Sequence, residues 1–207
     1  MKPVIADLYL QRVDALLASG SRRILGLVGA PGSGKSTLAD VLLEHLGDRA
    51  VVVPMDGYHL ANVELARLER ASRKGAQDTF DSAGYVSLLR RLRDQPANET
   101  VYAPLFQRSI EEPIAGAIPV HASTPLVITE GNYLLFEQGP WAQVQALLDE
   151  SWYVDVDSAL RQSRLVERHM RFGRTQQAAL DWVEQTDEPN ARLIDATAGR
   201  ADLRFSW

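Results

Sequence analysis

The sequence predicts an α/β fold of three layers, a mainly parallel sheet with helices on both faces. Three observations predict it. Short runs rich in Val, Ile and Leu recur along the 207 residues, as buried parallel strands require. Segments of helical periodicity alternate with those runs, which is the pattern of strands joined by crossover helices. A glycine-rich stretch, Gly29-Ala-Pro-Gly-Ser-Gly34-Lys35-Ser36-Thr37, stands where the first run gives way to a helix. The length suits one domain spanning 1–207.

Taken in order, Val4, Leu8, Val13, Leu16 and Leu17 give a helical pattern that stops at Gly20. Ile24–Val28 is the first strand. Lys35–Leu46, apolar at 38, 39, 41, 42, 43 and 46, is a helix packed on one side. Ala50–Met55 is a second strand with Asp56 at its C-terminal end. Asn62–Ser72 reads as helix. Asp81 or Ser82 caps a helix through Leu88, Leu89 and Leu92. Pro125–Thr129 is a third strand ending at Glu130-Gly131, and Trp141–Leu148 is helical. Ser151–Val156 is a fourth strand. Ala159–Phe172 is a long arginine-rich helix, Gln176–Glu184 is helical, and Ala191–Ile194 is expected as a fifth strand. Neither repeats nor low-complexity tracts interrupt this order.

The stretch Gly29–Ser36 reads G-x-x-x-x-G-K-S, a phosphate-binding loop, and its strand and helix flanks are the context in which that motif works. The fold expected is therefore of the P-loop NTPase type. Glycines let backbone N–H groups curl around phosphate oxygens, and the helix N-terminus adds partial positive charge. Lys35 reaches the β- and γ-phosphates, and the Ser36 hydroxyl ligates Mg²⁺. Gly29, Gly32, Ser33, Gly34, Lys35, Ser36 and Thr37 are the residues expected around bound ATP·Mg²⁺. An Asn/Thr-Lys-x-Asp guanine-reading motif does not occur, which argues against a regulatory GTPase.

Ligands of such sheets bind beyond the strand C-termini, so the loop, Asp56 and Glu130 are expected in one crevice. One acid serves the metal; the other takes a proton from an attacking hydroxyl. Position alone leaves open which does which. Arg161, Arg164, Arg168 and Arg171 are spaced 3, 4 and 3 and share a helix face; Arg174 follows Gly173, where the helix ends. A charge run is commonly a solvated face. In a chain of net charge −5 that already carries a phosphate loop, the better partner is a polyphosphate. Arg164, Arg168, Arg171 and Arg174 are thus candidates in a lid over about 158–180, with Arg168 and Arg171 stabilising the transferring group.

Further segments carry a resemblance over most of the chain. Asp56-Gly-Tyr-His59, Arg73–Asp81, Val101–Arg108, Val127–Tyr133 and Trp152–Asp157 with the following arginine helix resemble, in order, motifs of the P-loop kinases grouped as uridine kinase, phosphoribulokinase and bacterial pantothenate kinase. The nearest branch is the bacterial group named for fructose transport. The resemblance implies ATP-dependent phosphorylation of a small-molecule hydroxyl, with Asp56 as general base and Glu130 supporting the metal. It implies a substrate-side region over about 57–110, with Val101–Arg108 in a hairpin. Asp78 would bind a substrate hydroxyl, and Tyr58, His59, Tyr102 and Arg108 would line the acceptor pocket, with Lys74 close by. Asn190, in Asp187-Glu-Pro-Asn190, would lie beside the adenine ring. Relatives often carry Asp or His where this chain has Gln107, and Pro where it has Gln77; an amide at 107 hydrogen-bonds but supplies no charge. The implied acceptor is a sugar such as fructose, ahead of a nucleoside or pantothenate.

Composition sets the remaining bounds. With 45% hydrophobic and 24% charged residues the chain is of ordinary globular type. The absence of cysteine excludes disulfides and thiolate metal sites and suits a reducing cytoplasm. Met1–Asp7 has no apolar core of signal-peptide kind, and no run approaches a membrane span. Net charge −5 argues against a nucleic-acid or anionic-membrane partner. The oligomeric state is left open, a homodimer being one option.

Overall fold

The computed structural model describes residues 3–18 and 20–207. Seven strands run β1 (Arg23–Val28), β2 (Ala50–Pro54), β3 (Thr100–Gln107), β4 (Glu112–His121), β5 (Leu126–Gly131), β6 (Glu150–Asp155) and β7 (Leu203–Ser206). Five form one parallel sheet in the order β2-β5-β1-β6-β7, while β3 and β4 make a separate antiparallel hairpin. The α-helices are α1 (Asp7–Leu17), α2 (Lys35–Leu46), α3 (Asn62–Arg67), α4 (Ser82–Arg93), α5 (Ser158–Arg171), α6 (Gln176–Trp182) and α7 (Glu188–Asp195).

Strand alternation divides the core in two. Leu25, Leu27, Leu126, Ile128, Trp152 and Val154 face α1 and α2, packing on Val13, Leu38 and Leu42. Ile24, Val28, Val127 and Tyr153 face the other way, onto α4, the hairpin and α7. Both faces are covered, which is why the strands read as continuous apolar runs. The register matters for function. Val28 pairs Gly131, and Pro54 pairs Glu130, so β1, β2 and β5 end together and present the phosphate loop, Asp56 and Glu130 at one edge. Beneath it, the Tyr85 and Thr129 hydroxyls lie 2.7 Å apart, and Thr129 donates to the Val53 carbonyl at 2.7 Å, tying α4 to β5 and β2.

Several elements depart from expectation. Ala191–Ile194 is not a strand but the middle of α7, and the fifth strand is Leu203–Ser206. Ala191 and Ile194 are buried three residues apart while Leu193 is 46% exposed; a four-residue apolar run does not distinguish helix from strand. The Asn62–Ser72 helix stops at Arg67, since Glu69 takes φ 56°, a left-handed conformation no helix continues through. Trp141–Leu148 forms two 3₁₀ turns rather than an α-helix. Helix α1 begins at Asp7, leaving Val4 95% exposed. The α5 helix ends as read, with Gly173 at φ 97°. Among the described residues, no helix is long and apolar enough to cross a membrane.

Candidate active site

A cleft of about 610 Å³ opens at the edge where β1, β2 and β5 end. At one end lies the phosphate loop. Gly34 sits at φ 95°, and a Cβ there would stand 2.6 Å from Trp207 Nε1, so both backbone and neighbour require glycine. The Trp207 indole N–H in turn donates to the Ser33 carbonyl at 3.0 Å. Gly32, Gly34, Lys35, Ser36 and Thr37 line the cleft; Gly29 and Ser33 form the loop behind it. Lys35 is buried, its ammonium donating to the carbonyls of Gly29 (2.9 Å) and Ala30 (3.1 Å). Burial pushes its pKa down to about 8 against the pull of Glu130 and Asp56, so it stays largely protonated at neutral pH.

Asp56 and Glu130 both face this cleft, together with Ser36, whose hydroxyl donates to Glu130 Oε1 at 3.0 Å. Their electrostatics differ. Burial and the neighbouring Asp56 charge raise the Glu130 pKa. Burial also presses Asp56 upward, but the surrounding positive charge wins and its pKa is lowered. His59, whose Nε2 stands 4.0 Å from Asp56 Oδ1, is itself driven to about 4 by burial and is neutral at pH 7. The cations that hold Asp56 ionised are therefore Arg108, Lys35 and Arg168, with Arg108 Nη2 donating to Asp56 Oδ2 at 3.2 Å. Two carboxyls in one cleft are pushed apart in pKa, as acid–base sites require.

The other end of the cleft is built by long-range pairing. Leu60 N–H donates to the Thr79 carbonyl (2.9 Å) and Asp81 N–H to the Tyr58 carbonyl (2.8 Å). This short ladder stacks the His59 ring on Phe80, with centroids 4.0 Å apart and planes at 28°. His59 Nε2 comes within 4.0 Å of Asp56 Oδ1, while Nδ1 is buried without a hydrogen-bond partner. Gly57 passes so close to the Pro104 carbonyl that any Cβ would collide, which brings the hairpin up to Asp56. The hairpin supplies Phe106 and Arg108. The loop carrying Lys74 is pinned from below, by Tyr133 donating to the Gly75 carbonyl (2.7 Å) and Trp141 to the Gln77 carbonyl (3.1 Å).

Of the acceptor-side residues expected from the sequence, His59, Lys74 and Arg108 line the cleft. Tyr58 packs edge-on against Tyr85, and Tyr102 is 60% exposed on the hairpin. Asp78 is held by Arg70 and Arg73, away from the cleft lining.

The arginine helix splits by position. Arg161 is buried, donating to the Pro31 carbonyl and paired with Glu188, so it fastens α5 to the phosphate loop. Arg164 and Arg168 line the cleft. Arg171 is exposed and outside the lining, and Arg174 lies over the Trp182 ring at 3.9 Å. Asn190 is buried and reaches the cleft, as do Trp207, Trp182, His169 and Asn132, which the sequence reading did not single out. Asn132 alone had a local signal, two residues beyond Glu130.

For a divalent ion, Ser36, Glu130 and Asp56 offer hard oxygen donors, as Mg²⁺ prefers. Among the described residues no three acidic or imidazole groups cluster as a self-sufficient metal cage. That fits an ion held by one or two carboxylates plus phosphate oxygens.

Residues 24–206 match the Phosphoribulokinase / Uridine kinase family. A Schizosaccharomyces pombe protein provisionally named a uridine kinase is 33% identical over 95% of this chain and 88% of its own length. An ATP-dependent kinase-like protein of Aspergillus versicolor is 39% identical over 58% of this chain and 73% of its own. A crystal structure from Silicibacter sp. TM1040, provisionally named a fructose transport system kinase, superposes with a TM-score of 0.88 at 38% identity, covering 98% of this chain and all of the other. The chain belongs to the phosphoribulokinase and uridine kinase family, and it is an ATP-dependent kinase that phosphorylates a hydroxyl.

Proposed function

We propose that the acceptor is a small polyhydroxylated metabolite of sugar type, phosphorylated in this cleft with Asp56 as general base. The observation that carries the reading is the Asp56 carboxylate, which accepts from Arg108 Nη2 at 3.2 Å in the cleft that the phosphate loop also lines. The acceptor oxygen bonds to the γ-phosphorus as the bond from that phosphorus to the β–γ bridging oxygen breaks. The hydroxyl proton passes to Asp56, and ADP leaves. Lys35 and Arg168 neutralise charge on the transferring group, and Arg164 holds the phosphates. Ser36 and Glu130 are the residues that would hold Mg²⁺, with Asp56 lining the same cleft; the ion would neutralise charge on the phosphates. The nucleotide base lies toward Asn190 and Trp207. Lacking cysteine, the enzyme suits the reducing cytoplasm.

A nucleoside is the second reading, suggested by the relative named for uridine. The aromatic faces count against it. Phe80 is covered by the stacked His59 ring, and Phe106 has His59, Lys74 and Arg108 around it. A base would find no free face there to stack on. The test is ADP formation from ATP with no acceptor, with sugars and polyols, and with uridine, cytidine and pantothenate. Sugar-dependent turnover is expected. Rapid ATP consumption without any acceptor, or nucleosides outperforming every sugar, would contradict the reading.

A further inference from the structure

A phosphate loop binds anions through its N–H groups, so its carbonyls have to be turned away and held. Here they are held by several groups. The carbonyls of Gly29 and Ala30 accept from the Lys35 ammonium at 2.9 and 3.1 Å, and that of Gly34 accepts from the Leu38 N–H at 2.9 Å. Two further contacts come from outside the loop and its helix. Arg161 Nη1, on α5, donates to the Pro31 carbonyl at 3.3 Å, and the Trp207 indole N–H donates to the Ser33 carbonyl at 3.0 Å. The Ser33–Gly34 peptide is trans, and a trans peptide points its C=O and N–H in opposite directions. Turning the Ser33 carbonyl onto Trp207 therefore turns the Gly34 N–H the other way, into the bend of the loop. Gly34, left-handed at φ 95°, leads directly into α2 at Lys35, so its N–H is followed by the free N–H groups of a helix start, and successive N–H groups converge as in an anion nest.

The indole is held in place for this contact. A Cβ on Gly34 would meet Trp207 Nε1 at 2.6 Å and Cε2 at 3.2 Å, so the ring edge lies flush against the loop. Behind it Phe205 meets Trp207 edge-on, with centroids 5.0 Å apart and planes at 85°. Tyr9 of α1 lies 4.7 Å from Phe205 and 5.7 Å from Trp152. Phe205 and Trp152 are buried side chains of β7 and β6, so the sheet itself braces the ring. We propose that Trp207 is a positioning residue for phosphate binding: its indole N–H, acting through the Ser33 carbonyl, aims the Gly34 N–H at the nucleotide's phosphates. The proposal concerns the nucleotide end alone and holds whichever acceptor is used.

Trp207→Phe keeps an aromatic ring against Phe205 and removes the donor. Dissociation constants for Mg·ADP and for tripolyphosphate, which has phosphates and no base, are measured by calorimetry in wild type and variant, with melting temperatures alongside. Both constants should rise about three- to tenfold, the worth of one hydrogen bond, and by factors that agree within about twofold. A lowered melting temperature with both constants unchanged would reduce the contact to a fastening of β7 and overturn the proposal. Weaker Mg·ADP with unchanged tripolyphosphate would mean that the indole acts on the base, which overturns it too, as does tripolyphosphate that fails to bind the wild type. If Trp207→Phe does not fold, the wild-type protein decides by ¹⁵N NMR. Tripolyphosphate should shift the Gly34 amide resonance while the Trp207 indole N–H stays hydrogen-bonded. An unmoved Gly34 amide, or an indole N–H released on binding, overturns the proposal.

Discussion

At the nucleotide end of the cleft, eight consecutive residues, Gly29–Ser36, form the phosphate loop, and they work largely through backbone N–H groups fixed by strand β1 and helix α2. At the acceptor end, His59, Lys74, Phe106 and Arg108 come from three separate segments, joined by a two-rung ladder, a close glycine contact and pinned loop carbonyls. The first end is encoded locally and leaves little freedom, since a triphosphate is always the same. The second is assembled from side chains on separable supports, so its chemistry can change without disturbing the first. Asp56 stands where the two meet, held by Arg108 from one side and attracted by Lys35 and Arg168 from the other.

The division predicts which variants affect all acceptors and which only some. Lys35→Ala removes the buried ammonium from the triphosphate, and kcat/KM should fall about 10³-fold or more with every acceptor, ATP affinity falling with it. Wild-type turnover in a variant whose circular dichroism is intact would break the account of the nucleotide end. Arg168→Ala should lower kcat by about 10²-fold, because its charge engages the transferring group. Arg171→Ala, one turn on and exposed, should lose less than about threefold. Equal losses in the two would mean that the lid closes far enough to bring Arg171 in.

At the acceptor end, His59→Gln should raise the acceptor KM about tenfold while the ATP KM stays within about twofold. An ATP KM that moved as far as the acceptor KM would erase the boundary between the ends. The smallest effect is in pH. Deprotonating Lys35 removes positive charge, so kcat/KM for ATP should decline as pH rises through about 8 in the free enzyme. Bound triphosphate favours the ammonium, so kcat at saturating ATP should hold to higher pH. Coincident basic limbs in the two profiles would mean that Lys35 does not face the phosphates.

The same contrast governs what was legible in the sequence. The first four strands of the parallel sheet, the phosphate loop and the strand-end acids follow from contiguous residues, and they appear where the apolar runs placed them. The Trp207 indole on the Ser33 carbonyl joins positions 174 residues apart, and no local pattern marks it. Arg161 and Arg168 look alike on a helical wheel, yet Arg161 is consumed by Glu188 and the Pro31 carbonyl because α5 seats directly on the loop. Ala191–Ile194 was misread because burial three residues apart, the sign of a helix, is invisible in a run of four. The hairpin followed only from family resemblance, and nothing in the sequence pointed to the His59–Phe80 ladder, since antiparallel partners far apart in sequence leave no periodic trace.

We propose Asp56 as the base and Glu130 as the metal-supporting acid. A magnesium titration of Asp56→Asn and Glu130→Gln tests it most directly. Both exchanges are nearly isosteric, so the loop and packing should survive. Asp56→Asn should lose about 10²–10⁴-fold in kcat at every Mg²⁺ concentration, with ATP still bound. Glu130→Gln should need more Mg²⁺ and recover most of its activity when it is supplied. Rescue of Asp56→Asn by excess Mg²⁺, with Glu130→Gln refractory, would contradict the account and exchange the two roles.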